Sequence, residues 1–286
     1  MNRANRVGVV IALAAFPLVL FAQWPDYPTP GVPKTPDGKP KLNAPAPRTA
    51  DGKPDLSGIW ENVPGNAGRP PRGFPPADTP PPAPQPPSSA GPPAATFFDI
   101  GAGLKDGLPL KPWAAEVLKN RTAQNSKDNP DAHCLPMGLM QLHEHPQPRK
   151  IIQTPGVIVI IYEANSGLRQ IFTDGRPLPS KDVPPWWYGY SIGRWEGDTL
   201  VVETTGFRDD VWLDVDGSPL TNAGKTIEKF RRPEYGRLEI EVTIDDPSAY
   251  TKPFTVSVAQ QIMLNTDLIE FICSENERSD AHLVGK

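Results

Sequence analysis

Few of the residues that most often carry catalytic or metal chemistry are present. The 286-residue chain has two cysteines and four histidines. A zinc centre at His143 and His145 would need at least a third protein ligand, and only His133 and His282 remain as histidines. No phosphate loop, dinucleotide fingerprint, zinc-protease helix or nucleophile elbow occurs. Positive charge is also short: 29 Lys and Arg stand against 33 Asp and Glu, a net −4. A mildly acidic chain lacks the basic surface that nucleic acid demands. After the first 22 residues no apolar segment is long enough to span a bilayer. No cofactor and no metal are expected.

Proline, by contrast, is abundant at 38 residues, alongside 24 glycines. The chain opens on Met1-Asn2-Arg3-Ala4-Asn5-Arg6, then runs apolar from Val7 to Ala22. A basic start followed by a short apolar stretch reads as a secretory signal peptide, 1–22, cut after Ala22. Without Arg3 and Arg6 the balance is 27 bases against 33 acids, or −6. The expected location is periplasmic or secreted, with no membrane span once the leader is removed.

Residues 23–105 read as a Pro-rich, largely irregular arm, because such composition buries too little apolar surface to offset ordering entropy. A small repeat lies within it: Thr35-Pro36-Asp37-Gly38-Lys39-Pro40 and Thr49-Ala50-Asp51-Gly52-Lys53-Pro54. One island, 54–61, reads as a short strand carrying Trp60 and pinned to the domain. The domain itself is expected over 106–286. Pro112 in a first turn and the apolar Ala114, Ala115, Val117 and Leu118 predict a helix over 110–124. His143-Glu144-His145 reads as an extended segment with two imidazoles on one side.

From Lys150 the pattern turns to β. Strands are expected at 151–154, 157–162 and 168–174, with 157–162 covered on both faces. Further hairpins are expected at 226–232 with 237–245, and at 254–264 with 268–274. The Asp/Gly-rich run 208–224 reads as a long loop. Its Asp214-Val215-Asp216-Gly217-Ser218 segment lacks the closing Glu of a calcium loop. About nine strands in successive hairpins predict a mostly β fold, an antiparallel meander closed as a barrel, with a two-sheet sandwich as the alternative.

The central hairpin turns at Gly197-Asp198, a strong two-residue loop signal. Glu196 then pairs with Thr199, Arg194 with Val201 and Ile192 with Glu203. Alternation places Tyr188, Tyr190, Ile192, Arg194, Val201 and Glu203 on one face. Trp187, Gly189, Ser191, Gly193, Trp195, Leu200, Val202 and Thr204 form the other. If the first face points inward, Arg194 and Glu203 make a charged site; if outward, a surface ion pair worth about 0–1 kcal/mol.

Candidate site residues follow. Glu203 would act as acid or base, Arg194 as anion stabiliser and Tyr190 as proton donor. Trp187, Tyr188 and Trp195, with Arg169 and Arg176, would line a ligand pocket, or the rings are simply core. Cys134 and Cys273, an even pair in an exported chain, are expected as a disulfide tying the segment before the sheet to the last strand.

The segments 54–60, 134–138, 193–207 and 243–253 resemble a family of exported bacterial proteins of unknown function. The match covers most of the chain from Asp51 on. It implies export and a shared fold, and carries no activity. The Gly58-x-Trp60 spacing is also similar to the first-strand motif of lipocalins, an analogy of architecture within the calycins. The resulting expectation is a barrel binding a small apolar or aromatic molecule. The alternatives are a cofactor-free lyase, isomerase or hydrolase in the same cavity, or an envelope interaction protein using its Pro-rich arm.

Overall fold

The computed structural model describes residues 27–63, 91–180, 182–273 and 275. The expected signal peptide lies outside these residues. Nine strands close a barrel in the order β1 (Gly58–Asn62), β11 (Phe254–Met263), β10 (Arg237–Asp245), β9 (Lys225–Glu234), β6 (Thr199–Thr205), β5 (Tyr190–Glu196), β4 (Leu168–Phe172), β3 (Val157–Tyr162) and β2 (Arg149–Thr154), which returns to β1. Two minor strands, β7 (Val211–Trp212) and β8 (Pro219–Leu220), pair apart from it. Among the described residues no helix is long and apolar enough to cross a membrane.

Strict alternation builds the wall. In β3, β10 and β11 every second residue is buried, which aims Ile158, Ile160, Val242, Ile244, Val256 and Val258 inward. The alternate residues of β3 are half-buried, so this strand is not covered fully on both faces. The island of the arm is a full member of the barrel: β1 closes the gap between β2 and β11, with Trp60 wholly buried. Pro93 and Ala95 continue that edge by pairing with Ser257.

One joint departs from the expected meander. β4 and β5 run parallel and share only two registered pairs, Ile171 with Ser191 and Phe172 with Ile192. The connection 173–189 carries the chain back to the end at which β4 began, so β5 enters alongside it. The upper part of this seam has no ladder.

Other expectations change in detail. The predicted helix is α1 (Pro112–Ala123). A second helix, α2 (Leu139–Glu144), takes up part of the His-Glu-His segment, and all six of its residues are buried. The run 208–224 is not an open loop. Asp214 accepts bonds from the backbone N–H groups of Ile100, Gly217 and Ser218 and from the Ser218 hydroxyl, which folds the segment inward over Val211, Leu213 and Leu220. No strand forms at 268–272; the chain there is held instead by Ile269 N–H on Glu163, by Ser166 on the Phe271 carbonyl, and by the disulfide Cys134–Cys273. The bridge therefore ties a strandless tail, not a last strand, to the turn before α2.

Candidate functional site

The inward face of the central hairpin carries Ser191, Gly193, Trp195, Leu200, Val202 and Thr204, in the expected register of Glu196 with Thr199 and Ile192 with Glu203. Arg194 and Glu203 therefore meet on the outer wall, 2.5 Å apart, with 56% and 30% of their side chains exposed. Arg194 also pairs with Glu196. Tyr190 shares their face and donates its hydroxyl to the Pro184 carbonyl. These three groups do not look into an enclosed space.

The acid–guanidinium couple inside the barrel is a different one. Glu228 on β9 and Arg169 on β4 form a two-pronged ion pair, both side chains essentially without solvent contact. Arg169 also donates to Ser191 Oγ at 3.1 and 3.2 Å and to Thr204 Oγ1 at 3.0 Å. His143, from the last turn of α2, sits with Nε2 2.8 Å from Glu228 Oε1. Each component depends on a neighbour, since a lone buried charge would cost several kcal/mol.

Electrostatics follow from that arrangement. Burial pushes the Glu228 carboxyl up, but Arg169 and His143 outweigh it and hold the group down at about 2. Burial lowers His143 below the usual imidazole range, partly against its bond to Glu228. A neutral His143 donates from Nε2, which leaves Nδ1 an acceptor with no partner among the described residues. Thr226 Oγ1 and Gln260 Oε1 are likewise buried without one. Next to this set, burial raises Glu144 to about 8 and lowers His145 to about 4.

Arg149 is wholly buried beneath α2 and holds its end in place. Its guanidinium donates to the carbonyls of His143, His145 and Gln147 and to Asn62. His145 does not face the same way as His143: it packs edge-on against Phe97 at 5.0 Å. The segment is thus no two-imidazole clamp, and among the described residues no group of three His, Cys, Asp or Glu side chains could hold a metal.

An open space lies where the β4–β5 ladder is missing. The cleft holds about 500 Å³ and is walled by Phe172, Trp186, Trp187, Tyr188 and Tyr190, with Arg169 and Ser191 among its lining residues. Trp186, half exposed, stacks on Tyr190 at 4.3 Å between centroids. Arg176 lies over the Phe172 ring at 3.8 Å and is paired with Asp174. Tyr188 reaches back toward Tyr162 and Gly167, and burial raises its phenol above the usual range.

Gly189 makes this wall possible. Its φ is +62°, and a Cβ there would fall 2.7 Å from both Thr204 Cγ2 and the Thr205 carbonyl oxygen. A side chain would be strained by the backbone angle and by the clash.

Of the expected pocket residues, Trp187, Tyr188, Arg169 and Arg176 line the cleft together, and Tyr190 joins them. Trp195 does not; it lines a separate cavity further along β5. Glu228 is not among the residues the sequence points to, and His143 is there only as half of a two-imidazole segment, not as the partner of a buried carboxylate. A signal for Glu228 existed: once Phe230 is taken as core, period two places Glu228 and Thr226 on the same inward face. For His143 the local pattern pointed elsewhere, because the direction of α2 is fixed by Arg149, six residues from His143, together with Gln260, far along the chain.

The fold and these two features define a closed, mixed β-barrel with a charged, enclosed interior and an aromatic cleft in its wall. No family model matches the chain, and no curated protein or solved structure is similar to it.

Proposed function

We propose that the protein is an exported β-barrel that binds a small, largely apolar or aromatic molecule in the cleft between β4 and β5. The observation that carries this reading is the sparsely paired seam itself, which has only two registered pairs between β4 and β5. A barrel wall normally closes by hydrogen bonding, whereas this one leaves about 500 Å³ bordered by five aromatic rings. Ligand sites are concave and mostly apolar, with a few polar groups that orient the guest. Here the polar groups at the rim are Arg176 and Gln170. Arg169 is already committed to Glu228, Ser191 and Thr204, so its part is to hold the floor rigid.

Export rests on the basic start and apolar run of 1–22, supported by a disulfide of the kind that oxidising compartments favour. Mass measurement of the protein recovered from a periplasmic fraction should give a chain beginning at Gln23.

Tryptophan fluorescence tests binding directly. Titration with benzoate and indole-3-acetate should give a saturable change. Trp186→Ala should weaken it about tenfold or more, in line with the cost of truncating a well-packed aromatic anchor. Arg176→Gln should erase any preference for the acid over its methyl ester. A flat titration across both acids and both esters sinks the proposal.

A further inference from the structure

A second cavity, also about 500 Å³, shares no residue with the cleft. It lies at the end of the barrel where β2 turns into β3. Ile158 and the Trp195 indole form its apolar side, and Gln153 and Thr173 its polar side. Gly193 separates it from the seam: a Cβ there would sit 3.0 to 3.2 Å from Ile171, Leu200 and Thr173, so the wall between the two spaces is tightly filled.

Its roof is the second copy of the sequence repeat, with Thr49, Ala50 and Asp51 over the opening. Both copies fold into the same turn. Thr35 and Thr49 each bond the Lys carbonyl four residues on, and each hydroxyl meets the Asp two residues on at 2.5 Å. The turn is therefore self-contained, and its own bonds do not dictate where it rests. Placement comes from Arg48, which forms a two-pronged pair with Asp198 at 2.9 and 2.6 Å, and from Gln153, which bonds Leu56 and Pro54.

We propose that this roofed cavity is a second ligand site, for a neutral sugar-like ring. The chemistry matches: an indole face for the C–H side of the ring, and polar groups at its edge. The Asp51 carboxylate, exposed at the opening, is held by the Thr49 hydroxyl and by backbone N–H groups of its own turn and keeps lone pairs for a further donor, while Trp195 and Thr173 bring an indole N–H and a hydroxyl to the same lining. Together they offer an acceptor, a donor and a group that is both, which suits vicinal hydroxyls better than a hydrocarbon.

Calorimetric titration of the full chain with cellobiose and methyl β-glucoside, against cyclohexanol as the apolar control, tests this. The expected result is saturable sugar binding and none for cyclohexanol. Asp51→Asn keeps an acceptor for Thr49 while removing the charge, and should weaken sugar binding about tenfold, as loss of a charge-assisted hydrogen bond implies. Thr173→Val should weaken it several-fold, and Trp186→Ala in the cleft should leave it unchanged. No saturation up to the solubility of either sugar, equal binding of cyclohexanol, or indifference to both Asp51→Asn and Thr173→Val overturns the proposal. None of those results bears on the aromatic cleft, which the fluorescence titration probes separately.

Discussion

Replacing Glu228 by Gln would leave the Arg169 guanidinium buried without its counter-charge. Breaking one side of a buried pair typically costs about 3–5 kcal/mol. Glu228→Gln should therefore lower unfolding stability by about that amount, read from urea denaturation at pH 7. Because the folded carboxyl is held at about 2, below its ordinary value of 4.5, its contribution is present above pH 4.5 and lost as pH falls toward 2. Glu144 has the opposite sign. Raised to about 8, it stays protonated when folded but ionises at 4.5 once unfolded, so stability should decline as pH rises from 4.5 to 8. His145, held near 4, binds a proton in the unfolded chain below 6.5 and offsets that decline there. Between pH 6.5 and 8 Glu144 acts alone. Glu144→Gln should flatten the stability profile in that window, which in the native protein should fall by about 1 kcal/mol per pH unit. An unchanged slope in the variant would show that Glu144 ionises normally. The Arg194–Glu203 pair belongs at this scale too. Its partnering was legible from the two-residue turn, but its outward direction was not, since alternation defines two faces without saying which is wet.

Among the elements, the seam between β4 and β5 is the weak joint, and Gly189 holds one side of it. Gly189→Ala combines a left-handed backbone angle with contacts of 2.7 Å. It should cost about 2 kcal/mol or more and weaken aromatic ligands in step, because the strand must shift away from Thr204. The disulfide is the complementary device. It closes 139 residues of chain, for which the loop-entropy relation gives about 4–5 kcal/mol. Replacing both Cys134 and Cys273 by Ser should lower the melting temperature while leaving the barrel's far-ultraviolet dichroism intact. Equal melting with and without the bridge would mean that Lys150–Asp267 and Ser166–Phe271 hold the tail unaided. At this scale most strands could be read from period two, but β7 and β8 could not. Two residues carry no period, and their pairing depends on Asp214 gathering four donors from two segments.

For the molecule as a whole, closure depends on a piece of the arm. β1 supplies the ladder between β2 and β11, and Arg232 grips it through the carbonyls of Asp55 and Ser57. Deleting 27–62 should open the barrel, expose the inner edge of β11 and give a protein that aggregates or unfolds without cooperativity. Deleting only 27–47 spares β1 and should leave a cooperative, though weakened, transition. Cooperative unfolding of the longer deletion, unchanged from the full chain, would show that the barrel closes without β1.

Composition and periodicity were enough for the mostly β class, the closed barrel, a helix within 110–124, the hairpin register at Gly197-Asp198 and the pairing of the only two cysteines. Those properties are local, or follow from simple counting. The parallel β4–β5 joint, the plug made by α2, the inward couple of Arg169 with Glu228, and the division of the tryptophans between two cavities depended on the folded chain. Each depends on which segments meet in the folded chain: period two can mark Glu228 as inward-facing, but not that Arg169 and His143 meet it there.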